Sequence, residues 1–588
     1  MPFKRISLLI LCIAACCPAF AARTAREQVL ATLRRPLSHQ WFAVSPDGRR
    51  VAYLDEADGK QWLVVNGKPE ARFDAVLPDT VAFSADGRRL AYVARTGEKK
   101  VVVVDGLAGK AYDDLTKIAV PSLSSDLLGL PDAGSGGDQQ MDYVERITFS
   151  PDGKHVAYAG KSADGWHLVV DGKEGTAYAE LGVPFFSPNS ARLACMATVG
   201  GEQLLLCDGK EGKRYARIID PLFSPDGAKL AYRAKLGEQR CLVIEEAAGA
   251  AADAISAVTF SPDGKHLAYA AVRDGRQMVI VDGQAGTAYD EVQAVRFSPD
   301  GARLAYIARV GGEQMVVVDR REGQRYPHID LPPVFSPDGR HLAYAAHTPE
   351  GSVLVSDGVE GQHALGIDAI AYSGDHLICI TRNGGKLTVV QDGREGPAYD
   401  ALLTRTADTG AATPLLCFSA DGTRCAYAAR ANREWFVQVG EERQGPYDAV
   451  RQLCFSPNGK QLVYIAGLHG EQGTREMLVV NGAPGKPAVK IDDASLRFTP
   501  DGAHLLCVCR TADGEHVLVD GAAGTTYQSI LGDHTPCIVL DSANQFHYLA
   551  FKADPAPPSQ HPATDTLFPD ANSETGGKLV LVQETIGP

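Results

Sequence analysis

An all-β fold of tandem β-propellers is predicted from three features of the 588-residue sequence. The stretch Phe-Ser-Pro-Asp-Gly, followed by Leu-Ala-Tyr or a close variant, recurs along almost the whole chain. Most copies lie a little under 40 residues apart, roughly the period of propeller blades and longer than that of shorter solenoid repeats. Each copy is also followed by apolar runs of strand length that turn residues separate.

Thirteen units are found when the Phe position is used as the marker. Six of the twelve intervals between successive markers are 37 residues long. The markers are Val44, Phe83, Phe149, Phe186, Phe223, Phe260, Phe297, Phe335, Tyr372, Phe418, Phe455, Phe498 and, in degraded form, Val539.

The unit from Phe260 to Asp290 shows how one blade is built. Its Ser-Pro-Asp-Gly stretch suits a type I turn, because proline presets the first central φ and glycine accepts the left-handed conformation. Asp282-Gly283, between apolar strand residues, predicts a second tight hairpin. Each unit is therefore predicted to be a four-stranded meander.

Several of the predicted strands are apolar at every position, as in 101–104 and 315–318. Continuous apolar runs indicate strands that are covered on both faces. Blades stacked around a ring provide this cover and leave only short, protected edges.

Two rings are expected because propellers typically have four to eight blades. The predicted domains are 23–330 and 331–588, seven blades plus six, with the junction near Leu331 beside Pro332-Pro333. Six plus seven, divided near Val292, is the alternative. The last unit is expected to contain a mobile Pro-rich loop at 553–575, followed by a delayed third strand at 578–582.

The N-terminal residues predict export. Lys4 and Arg5 precede an apolar run, and Ala19-Phe20-Ala21 provides the small residues that a signal peptidase requires, so 1–22 is predicted to be a signal peptide. The stretch ending at Cys16 also resembles a lipoprotein signal, in which Cys16 would be lipidated. A periplasmic or secreted protein is expected, with a lipid-anchored envelope protein as the alternative.

The net charge limits the classes of partner that are expected, and the cysteines bear on whether disulfides form. The net charge of −14 argues against a nucleic-acid or anionic-membrane partner, leaving a lipid anchor as the only expected membrane attachment. Ten of the thirteen cysteines lie outside the export segment and are expected to be mostly small buried thiols. Cys417 with Cys425, or Cys195 with Cys207, could form disulfides in an oxidising compartment.

The repeated Phe-Ser-Pro-Asp-Gly-x-x-Leu-Ala-Tyr motif, with its Val-rich strand and Asp-Gly, resembles the WD40-like propeller repeats of the TolB type found in exported bacterial proteins. The resemblance covers about 44–551 and implies a protein-binding platform. The chain departs from TolB in having about twice as many blades and no room for an α/β domain before Val44. Similar propellers precede the hydrolase domain of prolyl oligopeptidases, but this chain has no Gly-x-Ser-x-Gly motif and no such domain after the last blade.

A repeated cation is the most suggestive binding feature. It lies three residues beyond the Tyr position of the second strand, so in a propeller these side chains would form a circle that attracts an anionic partner. Solvated ion pairs with a Glu across a short Gly turn are the simpler interpretation. The candidate binding residues are Arg95, Lys161, Lys235, Arg309, Arg382, Arg430 and Arg510.

Other recurring polar residues are expected to have structural roles. The Asp of each Ser-Pro-Asp-Gly turn suits turn geometry, and the Tyr-Asp pairs, such as Tyr289-Asp290, are expected to fix the outer strand. His155, His266 and His341 share one repeat position just after a turn, where exposure is expected. No catalytic residue, metal site or cofactor is predicted.

The expected function is therefore that of a non-catalytic exported scaffold that binds another protein or an extracellular polymer. The alternative is a hydrolase or lyase acting on polysaccharide, with carboxylates contributed by separate blades. A ligand or redox cofactor bound in the central channel is a third, weaker hypothesis.

Overall fold

The computed structural model describes residues 23–33, 41–121, 141–237, 239–406, 412–470, 473–531, 537–553 and 577–587. All regular secondary structure in these ranges is strand, and no helix there is long and apolar enough to cross a membrane. The predicted signal peptide with Cys16, and the predicted mobile loop from 554 onward, lie outside the described residues.

Thirteen four-stranded antiparallel blades are present, each with its strands in sequence order apart from blade 13. We number blades by their markers, from blade 1 at Val44 to blade 13 at Val539, and strands from the first to the fourth. The all-β class and the four-stranded meander are confirmed.

The first strands are continuous in nine blades and divided in blades 3, 4, 10 and 13. The continuous ones are Phe42–Val44, Ala75–Phe83, Arg217–Phe223, Ala254–Phe260, Glu291–Phe297, His328–Phe335, Gly366–Ser373, Ala449–Phe455 and Lys490–Phe498. The divided ones are Asp114–Leu115 with Thr148–Phe149, Glu180–Leu181 with Phe185–Phe186, Ala401–Leu402 with Leu416–Phe418, and Ser529–Leu531 with Ile538–Leu540.

The second and third strands form the regular centre of each blade. The second strands are Val51–Ala57, Leu90–Thr96, Val156–Ser162, Leu193–Val199, Leu230–Leu236, Leu267–Arg273, Leu304–Val310, Leu342–Thr348, His376–Asn383, Cys425–Ala431, Leu462–Gly470, Leu505–Thr511 and Gln545–Ala553. The third strands are Lys60–Val65, Lys99–Val104, Gly165–Val170, Glu202–Cys207, Gln239–Ile244, Arg276–Val281, Glu313–Val318, Gly351–Ser356, Lys386–Gln391, Glu434–Val439, Gly473–Val480, Gly514–Val519 and Gly577–Ile586.

The fourth strands vary most in length. They are Lys68–Pro69, Leu107–Tyr112, Lys173–Tyr178, Lys210–Glu211, Ala247–Ala248, Gln284–Tyr289, Arg321–Tyr326, Val359–Ala364, Arg394–Tyr399, Glu442–Tyr447, Ala483–Pro484, Ala522–Ala523 and, in blade 13, Arg23–Leu33. Two further hairpins, Lys117–Pro121 with Met141–Glu145 and Thr404–Thr406 with Ala412–Pro414, extend from divided first strands.

The turns have the backbone conformations that their residues favour. In blade 6, Asp282 and Gly283 both have positive φ, +49° and +81°, as a type I′ hairpin turn requires. Gly264 closes the preceding turn at φ +74°.

The first strands lie innermost and the fourth strands outermost. Neighbouring first strands contact each other. For example, His328–Phe335 of blade 8 contacts Gly366–Ser373 of blade 9. The fourth strands expose most of their side chains, as in Leu107–Tyr112. The first strands therefore line the centre of the ring.

The hydrophobic core is a series of clusters between neighbouring blades. In blade 7, Met315 and Val317 face blade 6, whereas Val316 faces blade 8. This alternation follows from the two-residue period of a strand, and it explains why the third strands are apolar at consecutive positions.

One ring accommodates all thirteen blades, which corrects the expected division into two. In a two-ring arrangement, blades 7 and 8 would not pack against each other, and blade 7 would pack against blade 1 instead. Instead, Tyr326 and Ile329 join blades 7 and 8 in one cluster, while Leu549 and Leu581 of blade 13 pack with Val51 of blade 1. The alternative boundary near Val292 is also bridged, because blades 6 and 7 share a cluster.

The N-terminal strand completes the last blade. Arg23–Leu33 pairs antiparallel with Gly577–Ile586, from Arg23 opposite Ile586 to Leu33 opposite Gly577. The predicted delayed third strand is present in Gly577–Ile586, but its fourth-strand partner comes from the other end of the chain. Residues 23–33 therefore belong to the same sheet as residues of the predicted second domain.

Candidate functional site

Two edges of the ring are candidates for recognition. The turn face carries the loops between first and second strands and between third and fourth strands, which in blade 6 are 261–266 and 282–283. The hairpin face carries the loops between second and third strands and the links to the next blade, which in blade 6 are 274–275 and 290.

The repeated carboxylates on the turn face hold the turns. Ser261 donates from Oγ to Asp263 Oδ1 at 2.6 Å, and the Lys265 N–H donates to the same oxygen at 3.1 Å. These bonds lower the pKa of Asp263 from its ordinary value of 3.8, and the bond from Ser261 has the largest effect. The same bond occurs in Ser45–Asp47, Ser84–Asp86, Ser150–Asp152, Ser224–Asp226, Ser298–Asp300, Ser336–Asp338, Ser419–Asp421 and Thr499–Asp501.

Successive turns also pack against each other around the inner rim. Gly339 of blade 8 has φ +75°, and a Cβ added there would lie 2.6 Å from Asp300 Oδ1 of blade 7. Glycine is therefore needed for its conformation and for the close approach of the neighbouring carboxylate.

An arginine joins consecutive blades on the turn face. Arg303 of blade 7 donates from Nε to Asp319 at 3.1 Å and from Nη1 to the carbonyl oxygen of Arg340 in blade 8 at 2.7 Å. Its guanidinium carbon lies 5.5 Å from the ring centroid of Phe335, also in blade 8. We call this guanidinium position the latch. Other latches are Arg50 on Phe83, Arg89 on Phe149, Arg192 on Phe223 and Arg424 on Phe455.

Histidine occupies the latch position of the sequence in five other blades. His266 Nδ1 lies 2.7 Å from Asp282 Oδ2, and Asp282 Oδ1 accepts the Leu267 N–H at 3.0 Å. The histidine thus pairs within its own blade. Equivalent pairs are His155–Asp171, His341–Asp357, His376–Asp392 and His504–Asp520. The side chains of His155, His266 and His341 are 50, 49 and 44 % exposed, in agreement with the sequence expectation.

Two pockets lie on the turn face. Each lies between two consecutive blades, and the first blade of each pair carries such a histidine. The larger, about 490 Å³, lies between blades 3 and 4 and is lined by His155, Tyr178, Phe186, Ala191 and Arg192 among others. The smaller, about 310 Å³, lies between blades 6 and 7. It has the same layout, with His266, Phe297, Ala302 and Arg303 in its lining. Both volumes are in the range of small-ligand pockets.

The seven candidate cations lie at the ends of second strands, on the hairpin face. Within the described residues, Arg309 forms an ion pair with Glu291 at 2.7 Å, Arg382 with Asp368, and Arg510 with Glu515. Arg510 pairs across its own hairpin, whereas Arg309 contacts the carboxylate opposite it on the first strand.

The other four candidate cations have different surroundings. Lys161 and Arg430 each lie 5.8 Å from the ring centroid of a tryptophan on the third strand, Trp166 and Trp435 respectively. Arg95 lies opposite Ala75 and lowers the pKa of neighbouring Asp74 as a minor contribution, after the hydrogen bonds from Lys60 and Gly97. Lys235 lies opposite Arg217. The structure therefore places all seven on one face, and their role in binding stays a prediction.

The Tyr-Asp pairs connect the fourth strands that carry them to the following blade. Asp290 accepts the N–H of Gly311 in blade 7 at 2.8 Å. Tyr289 packs edge-on against Tyr306 of blade 7, with 6.1 Å between ring centroids, and donates its hydroxyl to Glu322 at 3.2 Å. The pair thus fixes the outer strand and ties it to the next blade.

The ten cysteines of the described residues are all free thiols. Burial raises the pKa of Cys195 and of Cys425 to about 12, which keeps these thiols protonated and unreactive at neutral pH. Across the described ranges, no group of three or more His, Cys, Asp or Glu side chains could hold a metal ion.

The latch arginines are the functional feature that the sequence reasoning missed. They share the repeat position of His155, His266 and His341, just before the second strand, so the sequence contains the signal. Their contact with the next blade depends on how neighbouring blades face each other, which a single repeat does not reveal.

No family model and no curated protein matches the chain. The chain is similar in part to the structure titled "Crystal structure of the eukaryotic initiation factor", at 13 % identity and TM-score 0.27 over 60 % of this chain and 96 % of that chain. It is similar to the Dos1 propeller at 11 % identity and TM-score 0.23, over 54 % of this chain and 91 % of that chain. A prolyl endopeptidase structure gives 12 % identity and TM-score 0.23, over 50 % and 55 %.

Proposed function

We propose that this chain is a non-catalytic, exported scaffold that binds another protein through a face of its propeller ring. The propeller fold is consistent with a protein-binding scaffold. Export rests on the sequence of residues 1–22.

The observation that carries the proposal is the repetition of the polar groups from blade to blade. Asp263 caps its turn, His266 pairs with Asp282, and Asp290 caps the hairpin of the next blade. Carboxylates and histidines thus form structural bonds at equivalent positions, whereas an active site needs an irregular cluster of polar groups in one place. A surface of repeated loops on a closed framework suits recognition.

The test uses residues 23–588 as bait against an envelope extract, followed by cross-linking and mass spectrometry. Two baits carry a bulky polyethylene glycol on a single new cysteine, Lys154→Cys on the turn face or Lys99→Cys on the hairpin face. Both lysine side chains are well exposed, 76 % and 54 %, so neither change disturbs the core. We expect one protein to be captured, to bind again when purified, and to be blocked by only one of the two modifications.

Two outcomes would contradict the proposal. If the bait retained an extracellular polysaccharide and no protein, the partner would be a polymer rather than a protein. Release of sugar fragments from that polysaccharide would favour the hydrolase or lyase alternative instead.

A further inference from the structure

We propose that the two turn-face pockets, between blades 3 and 4 and between blades 6 and 7, accept arginine side chains of the partner protein. This inference rests on the scaffold function proposed above and adds the chemistry of the partner. It also makes a claim about the pockets that can be tested without the partner.

The ring itself shows how a guanidinium binds at this position. At five blade interfaces a latch arginine lies on the marker phenylalanine of the next blade, at 4.9–5.5 Å from the ring centroid. Four of these arginines also donate to the carbonyl oxygen of the residue five positions after that phenylalanine, at 2.5–2.8 Å: Arg50 to Arg88, Arg89 to Lys154, Arg192 to Ala228 and Arg303 to Arg340. An aromatic face and a carbonyl oxygen together recognise the cation.

At the two pockets the marker phenylalanine has no latch arginine from the preceding blade, and Arg192 and Arg303, which also line the pockets, stack instead on the phenylalanines of the following blades. The phenylalanines are Phe186 and Phe297, and the residues five positions later are Ala191 and Ala302, all four of which line the pockets. Among the described residues, no cation stacks on Phe186 or Phe297. The preceding blades carry His155 and His266, which pair with aspartates of their own blades.

Charge favours an arginine-bearing partner. Each pocket lining has as many basic side chains as carboxylates: Glu174 and Asp208 with Lys173 and Arg192 in the larger pocket, and Asp282 and Asp319 with Arg303 and Arg320 in the smaller one, so the electrostatic attraction comes from the chain as a whole. The chain as a whole carries −14, so it attracts basic surfaces over a longer range. Two such sites on one ring would also let a partner with two arginines bind far more tightly than either contact alone.

The probe for the test is Nα-acetyl-arginine amide, with Nα-acetyl-citrulline amide as the neutral molecule of the same shape. Binding to residues 23–588 is measured by saturation-transfer difference NMR, which detects weak ligands of large proteins. We expect saturable binding of the arginine probe, and binding of the citrulline probe at least about tenfold weaker, since the charge is lost from both the stacking and the hydrogen bond.

Variants assign the binding to the pockets. The double variant His155→Arg and His266→Arg should fill both pockets with the protein's own guanidinium groups and abolish probe binding. It should still fold, because arginine already stands at this position in five blades. Phe186→Leu with Phe297→Leu should weaken binding roughly three- to fivefold. The matched controls are Lys154→Ala and Lys265→Ala, one residue before each histidine, and they should bind as the unaltered chain does.

Equal binding of the two probes, or unchanged binding to the double arginine variant, would overturn the inference. If the arginine probe does not bind but the chain still captures a protein, the inference about the pockets is refuted and the proposed scaffold function stands. If the arginine probe binds but the chain captures no protein, the proposed scaffold function is refuted and the pockets remain guanidinium-binding sites.

Discussion

Single side chains on the turn face act as connectors between blades. The Arg303 guanidinium contacts Asp319 in its own blade and both Phe335 and a backbone carbonyl in the next. One residue thus holds three loops together, which makes the latch a sensitive position for stability.

Arg303→Ala should destabilise the ring by about 1 to 2 kcal/mol, because it removes a stacked, hydrogen-bonded guanidinium between blades. The measurement is the urea unfolding midpoint. Arg340→Ala is the control, since the Arg340 side chain is 81 % exposed and pairs with Asp338 in its own turn. Its effect should stay below about 0.5 kcal/mol. Equal losses in the two variants would show that the latch adds nothing.

The turn aspartates should make stability depend on acid. The pKa of Asp263 and that of Asp300 are lowered from 3.8 by hydrogen bonds from Ser261 and Ser298 respectively, so the stability they contribute is present above pH 3.8 and lost as pH falls below it. The variant Asp263→Asn with Asp300→Asn should be less stable than the original at pH 7, because the amides lack the ionised state, and the difference should shrink as the pH falls below 3.8.

The chain contains a precedent for that substitution. Asn189 stands at the same position in blade 4, where its Oδ1 accepts the Ser187 hydroxyl at 2.7 Å and the Ala191 N–H at 3.1 Å. The amide thus keeps the bonds of the turn without a titrating group. Thermal midpoints measured across the pH range test the prediction, and parallel acid curves for the two proteins would refute it.

At the scale of elements, the strand Arg23–Leu33 decides whether the ring is closed. Glu584 in the third strand of blade 13 is 2 % exposed and forms an ion pair with Arg23, while its other oxygen accepts the Tyr548 hydroxyl at 2.6 Å. Leu30 and Leu33 pack into the cluster between blades 13 and 1. The strand is therefore anchored by a buried charge at one end and by apolar side chains at the other.

Glu584→Gln should cost about 3 to 5 kcal/mol, because it leaves the mostly buried Arg23 guanidinium without its counter-charge. Lys552→Ala breaks a second ion pair to the same strand, with Glu27, but both of those side chains are partly exposed, and the loss should be below about 1 kcal/mol. Urea unfolding gives the stabilities, and hydrogen exchange in 23–33 shows whether the strand opens first. Slow exchange there in the Glu584 variant would argue against its anchoring role.

At the scale of the whole molecule, every blade is covered on both sides by its neighbours. A regular ring of thirteen blades turns by about 28° at each interface, compared with about 51° in a seven-bladed propeller. The clusters between blades 7 and 8 and between blades 13 and 1 show that this turn continues to a single closure.

A single ring predicts that the chain cannot be divided into two folded halves. Fragments 23–326 and 328–588 each expose two apolar blade faces, and the first fragment keeps the strand that blade 13 needs. We expect the separate fragments to aggregate, or to associate when produced together. Size-exclusion chromatography and circular dichroism measure this, and two stable monomeric halves would restore the two-ring arrangement.

The sequence by itself determined the blade. Its turns, such as Ser261 to Gly264 and Asp282-Gly283, and its apolar strands are specified within fewer than 40 residues, because turn chemistry and strand periodicity are local. The positions of the candidate cations on one face followed from the same repeat.

Only the tertiary structure decided the number of rings, the origin of the closing strand and the existence of the two pockets. The ring count depends on a small angle between blades that accumulates over thirteen interfaces, and no single repeat encodes that sum. The pairing of Arg23 with Ile586 joins opposite ends of the chain, and the pocket at Phe186 is completed by His155 of the preceding blade. These features arise from contacts between repeats, where near-identical sequences differ by one side chain.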